Sequence, residues 1–382
     1  MSFTLPEIHD AIAALIPERE AIVTSRVRLS WTEFVRRTRA LARLLHEAGL
    51  GCQRERDSLP PWESGQDHLA LYLYNGNEYL EGLSGAFRAR VAPFNVNYRY
   101  VEDELLYLFR DARARILPQL PPMALLLQVD DGSGEALLPG ALDYEKALAA
   151  TGLSAPPVTP NPDDLYIVYT GGTTGMPKGV LWRQEDIFFA ALGGQMPGAE
   201  PVRSISELCE RVPHGAFMRI LASPPFMHGA GHWSALMMLH QGGTVVVQSN
   251  VHKLDPDDIW RTVEREKVFS LSIVGDAFAR PLLDQLQQAT YDLSSLRVVG
   301  SGGALLSPAL KRAFLERLPQ VLVVDGYGSS ETGAQGSSAM AAGNDAPGAF
   351  RLDAHTCLLD ESMTRRLAPG EDALGWVARS GH

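Results

Sequence analysis

The chain has 382 residues, 45% of them hydrophobic and 21% charged, and its 34 basic side chains are outnumbered by 45 acidic ones for a net charge of −11. This is neither a disordered nor a fibrous composition, and a single core rarely outgrows roughly 250–300 residues, so at least two structural units are expected. The acidic excess is spread along the sequence, which argues against the clustered Lys and Arg of a nucleic-acid or anionic-membrane footprint.

Taken in chain order, Ser30-Trp31-Thr32-Glu33 is a capping-box pattern, and Phe34, Leu41, Leu44, Leu45 and Ala48 follow at helical spacing until Gly49 supplies a left-handed stop. Residues 69–74 read as a strand. Residues 77–90 and 102–113 read as helices on either side of the aromatic segment APFNVNYRY. A loop-rich stretch, 118–162, holds many of the prolines and a DDGSG turn, and reads as a connection between units. Beyond it, LYIVYT, RILASP, TVVVQS, VFSLSIVG, LRVVG and VLVVDG are short, nearly continuous apolar runs, the pattern of strands in a sheet covered on both faces. Asp255-Pro256 and Ser307-Pro308 each place a capping side chain before a proline and open helices between those runs. This alternation implies a doubly wound, mostly parallel α/β sheet, which binds ligands beyond the carboxyl ends of its strands. Cys52, Cys209 and Cys357 lie far apart with no CxxC spacing and suit reduced thiols. With no basic leader and no apolar run of about 18–20 residues, no integral membrane segment is expected and the expected location is the cytoplasm.

Two loops after strands carry the chemistry. Thr170, Gly171, Gly172, Thr173, Thr174 and Gly175 lead through Met176 and Pro177 to Lys178 and Gly179. Glycines let a backbone approach a ligand and turn its amides inward, threonines add hydroxyl donors, and the lysine adds a mobile charge, which together suit a polyphosphate. Pro177 and Gly179 exclude a Walker A loop. The second segment, Asp325-Gly326-Tyr327-Gly328-Ser329-Ser330-Glu331-Thr332-Gly333, fails as a dinucleotide fingerprint because Glu331 stands at the last glycine, and fails as a nucleophile elbow because Thr332 does. What remains is an aromatic ring able to stack on a base, hydroxyls, and an acid suited to Mg2+. His228 and His232 have the four-residue spacing of a zinc pair, but the glycines between them and the absent glutamate argue against one.

These segments resemble the AMP-forming acyl-CoA synthetases of the adenylate-forming superfamily. YTGGTTGMPKGV is similar to that family's phosphate signature, with Gly172 in place of serine; Tyr327 to Glu331 match its YGxTE pattern; Gly302-Gly303-Ala304-Leu305-Leu306 matches its GGAPL segment. The resemblance implies two doubly wound, mostly parallel sheets with helices on both faces: an N-terminal α/β subdomain (1–160), an ATP-binding α/β subdomain (161–345) and the start of a small β subdomain (346–382). It implies that residues 170–178 embrace the β- and γ-phosphates of ATP. Gly303, Ala304 and Leu305 would line one face of the adenine, with Tyr327 on the other and Asp325, beside Gly326, at the amino group. Ser330 would touch the α-phosphate and Glu331 would hold Mg2+. Lys178, His228, Ser330 and Glu331 are thus the expected catalytic residues.

The loop PPFMHGAGHW would form the acyl pocket, with His228 at the acyl junction and His232 either pocket wall or core. Small residues Gly229, Ala230, Gly231 and Gly300, and apolar Met227, Trp233, Val274 and Phe278, suit a large hydrophobic acid, with Gly302 also assigned to substrate binding. The implied reaction joins a small-molecule carboxylic acid to coenzyme A through acyl-AMP. Delivery to a carrier protein and a non-catalytic nucleotide- or acyl-binding module are the alternatives, and a homodimer is left open. The sequence stops at His382, within what resembles the start of the small β subdomain, so the family's ribose-binding aspartate and C-terminal lysine domain are not assignable and a longer enzyme is expected.

Overall fold

The computed structural model describes residues 2–112, 124–152, 154–171, 175–196, 199–215, 218–343, 350–352, 355–368 and 370–380. The capping box forms as the sequence predicts: Glu33 N–H donates to Ser30 Oγ at 3.2 Å, and Ser30 N–H donates to the Glu33 carboxylate at 2.9 Å, opening the helix Trp31–Glu47. Every apolar run beyond residue 162 contains a strand. They assemble with earlier strands into two sheets.

The larger sheet has nine strands. Its parallel centre runs Leu322–Ser329, Val298–Ser301, Ser270–Ile273, Arg219–Ala222, Thr244–Val246 and Glu20–Val23, flanked by antiparallel Arg28–Ser30 at one side and Gly333–Met340 and Arg351–Leu352 at the other. The smaller sheet has four strands: His68–Leu71, Ala92–Asn95 and Leu165–Thr170 are parallel, and Lys178–Arg183 returns antiparallel. Both sheets draw strands from either side of residue 160. Thr356–Leu359 and Trp376–Arg379 form a separate antiparallel pair.

Strand alternation decides which face each side chain covers. Ile22, Ile220 and Val245 pack into a core shared with Leu71, Tyr166 and Val168 of the smaller sheet, whereas their neighbours Val23, Leu221 and Val246 point into a second core with Trp260 and Phe314. Ile167 and Tyr169 face a third, with Phe94 and Leu108. The first core lies between the two sheets and joins them.

The stretch 118–162 departs from the expected plain connection. Within its described part, Leu127–Gln128 pairs with Leu142–Asp143, and Asp143 caps a helix, Tyr144–Ala150. The helix is short, and tertiary burial sustains it: Tyr144 and Leu148 are in the core, and the Tyr144 hydroxyl donates to buried Glu81 at 2.6 Å.

His9 and His240 stack at 5.1 Å in the core, both fully buried. Burial, then the neighbouring His240 and Arg88 charges, hold His9 well below its ordinary value; burial lowers His240 to about 4 despite its contact with the Leu192 carbonyl. Unfolded histidines protonate below pH about 6.5 and these do not. Stability present above pH 6.5 is therefore lost as pH falls towards 4, by up to about 1.4 kcal/mol per pH unit for each such histidine. The melting temperature should fall steeply from pH 6.5 to 5, and His9→Leu should flatten that fall. An unchanged slope in the variant would contradict this account.

Candidate active site

The strand Leu165–Thr170 is buried almost throughout, and Thr170 lies opposite Lys178 in the hairpin it forms with Lys178–Arg183. Gly171 is exposed, and Gly175 has φ +140°, a conformation that side chains rarely adopt. Gly172, Thr173 and Thr174 lie outside the described residues. Lys178 is exposed at the start of the return strand, with no ion-pair partner among the described residues.

The second segment is not a loop at a strand end. Its strand continues through Tyr327 to Ser329, turns at Ser330, Glu331 and Thr332, and returns as Gly333–Met340. Glycine and serine carry little strand preference, so the partner strand supplies what the local sequence does not. A Cβ on Gly328 would lie 2.1 Å from the Gly333 carbonyl, so the turn can close only around glycine. Tyr327 and Glu331 are exposed, and Glu331 has no ion pair among the described residues. Asp325 is instead buried and paired with Lys311 Nζ at 2.7 Å. The indole of Trp182, on the first hairpin, donates to the Ser330 carbonyl at 2.8 Å.

Residues 302–306 follow the strand Val298–Ser301. Ser301 Oγ accepts from Gly275 N–H at 3.0 Å, Asp276 N–H donates to the Leu305 carbonyl at 3.0 Å, and the Asp276 carboxylate accepts from Ser307 N–H at 2.7 Å. The start of the helix Gly275–Gln288, with Val274 at its cap, thus pins this loop and leaves Gly303, Ala304 and Leu305 exposed.

Two buried amides shape residues 224–228. Asn75 Oδ1 accepts from Phe226 N–H at 2.6 Å and Asn75 Nδ2 donates to the Pro224 carbonyl at 2.9 Å. Asn95 Nδ2 donates to the carbonyls of Met227 at 2.7 Å and Tyr169 at 2.8 Å, while its Oδ1 accepts from Tyr169 N–H at 2.8 Å. His228 caps the helix Gly229–His240 and is exposed; crowding by its neighbours, then the Arg99 charge, lowers its pKa and keeps it neutral. His232 is in the core. Its Nδ1 donates to the Phe226 carbonyl at 2.6 Å, its Nε2 accepts from the Tyr166 hydroxyl, and burial lowers its pKa to about 4.

These contacts close a ring. Asn95 joins the first hairpin to Met227; Ala230 meets the position a Gly303 Cβ would occupy at 3.4 Å; Ser301 pairs in register with Asp325; and Trp182 returns from Ser330 to the first hairpin. These contacts link the sequence-predicted segments to one another, while His232 lies in the core. Asn75, Asn95, Trp182 and Lys311 were not identified from the sequence. A polar residue ending the buried run APFN was a usable signal for Asn95; the others act through partners distant in sequence.

An AMP-binding enzyme family model matches residues 10–378. The chain belongs to the AMP-binding enzyme family. It is 47% identical to the medium-chain acyl-CoA ligase Mig of Mycobacterium avium, over 100% of this chain and 72% of that one. It is 33% identical to a medium/long-chain-fatty-acid–CoA/3-oxocholest-4-en-26-oate–CoA ligase of Mycolicibacterium smegmatis, over 100% and 70%. The inhibitor-bound N-terminal domain of FACL13 from Mycobacterium tuberculosis shares the fold, with a TM-score of 0.73 and 20% identity over 98% of this chain and 86% of that one. Homology over the whole length places this AMP-binding enzyme among the acyl-CoA ligases.

The family's small residues do different things here. A Cβ on Gly231 would lie 2.5 Å from the Pro225 carbonyl and 2.8 Å from that of Pro224, whereas one on Gly300 would meet nothing within 4 Å. Gly231 lets the helix start dock, and Gly300 borders open space. Gly231→Ala should therefore cost about 1–3 kcal/mol of stability in a denaturation experiment, and Gly300→Ala less than about 0.5 kcal/mol. The reverse order would refute this assignment.

Proposed function

We propose that this AMP-binding enzyme is an acid–thiol ligase that activates a hydrophobic carboxylic acid with ATP, releasing pyrophosphate, and passes the acyl group from acyl-AMP to coenzyme A. The ring of contacts supports this reading, because it links the phosphate-type hairpin, the adenine-type loop and the segment ending at His228, and among the described residues Lys178 and Glu331 have no ion pair. A carboxylate attacking an α-phosphate meets like charge, so positioning and charge neutralisation must supply the catalysis.

Each residue has a corresponding role. Lys178 is free to offset phosphate charge. Trp182 holds the Ser330 carbonyl, which fixes the main chain at the turn, and the Ser330 hydroxyl could donate to the α-phosphate. Glu331 fits Mg2+: such ions are commonly held through one or two carboxylates plus substrate phosphates, and this carboxylate is exposed and has no ion pair among the described residues. The ion would offset phosphate charge when bound. Neutral His228 can face the acid's carboxylate without a permanent ion pair. Open space at Gly300 supports a long or bulky apolar acid, as do the fatty and steroid acids in the relatives' names. Dependence on ATP and coenzyme A fits action in the cytoplasm.

Pyrophosphate release should depend on the acid in a panel of medium-chain, long-chain, steroid and aryl acids, with hydrophobic acids best and acyl-CoA formed when coenzyme A is added. No release with any acid would refute the ligase reading. Glu331→Gln should slow release by roughly a hundredfold or more, the lower range for loss of one charge-stabilising group. Lys178→Ala should raise the KM for ATP more than that for the acid.

A further inference from the structure

Asp325 and Lys311 form a buried ion pair at the edge of the candidate site. The carboxylate is 4% exposed, and Lys311 Nζ, itself largely covered, meets its Oδ2 at 2.7 Å. Lys311 lies one turn into the helix Pro308–Arg317, so its position is set by a rigid element. Its ammonium also lies 6.0 Å from the ring centroid of Phe350, which meets Tyr327 edge-on with centroids 6.1 Å apart. One cation thus touches both the carboxylate and the aromatic wall of the candidate base site. No described group bonds the other carboxylate oxygen, Oδ1.

We infer that Lys311 is a positioning residue that makes the site selective for a 6-aminopurine nucleotide, an inference that rests on the nucleotide-binding reading given above. A carboxylate buried alone would be protonated or would turn to find a donor. Lys311 holds the carboxylate through Oδ2, which leaves Oδ1 as an acceptor on the same strand as Tyr327. The exocyclic amino group of adenine can donate to it. A 6-oxopurine offers an acceptor at the same position, so two acceptors face each other with no proton between them. Sites built around such a buried hydrogen bond reject analogues that cannot make it.

The test is equilibrium binding of Mg·ATP, Mg·ITP and Mg·GTP by calorimetry, alongside melting temperatures. The unaltered protein should bind ATP at least roughly tenfold more tightly than ITP, the discrimination expected of a buried hydrogen bond to a charged group. Lys311→Met should bring that ratio to within about threefold, and Lys311→Arg, which keeps a cation, should restore most of it. Because Lys311→Met strands a buried carboxylate, the double variant K311M/D325N removes both charges together and should also lose the preference, since an asparagine amide can donate to a 6-oxo group. A merely structural lysine would alter the melting temperature and leave the ATP:ITP ratio intact. An unaltered ratio in either variant overturns the inference, as does equal binding of ATP and ITP by the starting protein, and both results leave the ligase reading standing. A protein that binds no nucleotide overturns both.

Discussion

The Asn95 side chain is the constraint on which the candidate site depends. It ends a strand of the smaller sheet, completes both backbone bonds of Tyr169 at the entrance to the phosphate-type hairpin, and reaches Met227 beside the acyl-type loop. Three elements from distant parts of the sequence therefore meet on one amide, all of it buried. Each bond contributes only about 1 kcal/mol net, yet leaving any of these buried groups unpaired costs about 1–3 kcal/mol. Such a junction tolerates little displacement. With Asn75 fixing the adjoining turn, it holds the main chain before His228 in one place.

From that fixed point the site acquires its electrostatic character. The protein is acidic, and its better-buried cations are already engaged: Arg37 with Glu81, Arg88 with Asp10, Arg90 with Asp164, and Lys311 with Asp325. Lys178 differs in being exposed at the hairpin end with no ion pair among the described residues. Glu331 is likewise exposed. Opposite charges left apart and accessible suit a ligand that brings its own phosphates and counter-ion.

What the sequence disclosed was local. Capping residues, buried apolar runs and the glycine-rich segments each show their nature within a few neighbours, so the helix Trp31–Glu47, the parallel strands and the motif positions were legible. The return strand Gly333–Met340 was not, because GAQGSSAM has weak strand preference and is extended by its pairing with Leu322–Ser329. His232 could be wall or core until Tyr166 and the Phe226 carbonyl accounted for both ring nitrogens. Trp182 and Lys311 share that history. Their partners, Ser330 and Asp325, come from other strands, and no periodicity announces such a meeting.

The interleaving of the two sheets bears on how the chain reaches this state. Ile22 must pair in parallel with Val245, and Phe94 with Ile167, so neither sheet is complete when the first 160 residues leave the ribosome. The strand Glu20–Val23 has only its hairpin partner Arg28–Ser30 at that stage, and its other edge stays open while more than half of the larger sheet is still being made. Long-range parallel pairing of this kind folds slowly and leaves sticky edges in the interval. The architecture that interleaves the two sheets therefore also commits the nascent chain to a late, concerted assembly, during which it is most exposed to aggregation and to chaperones.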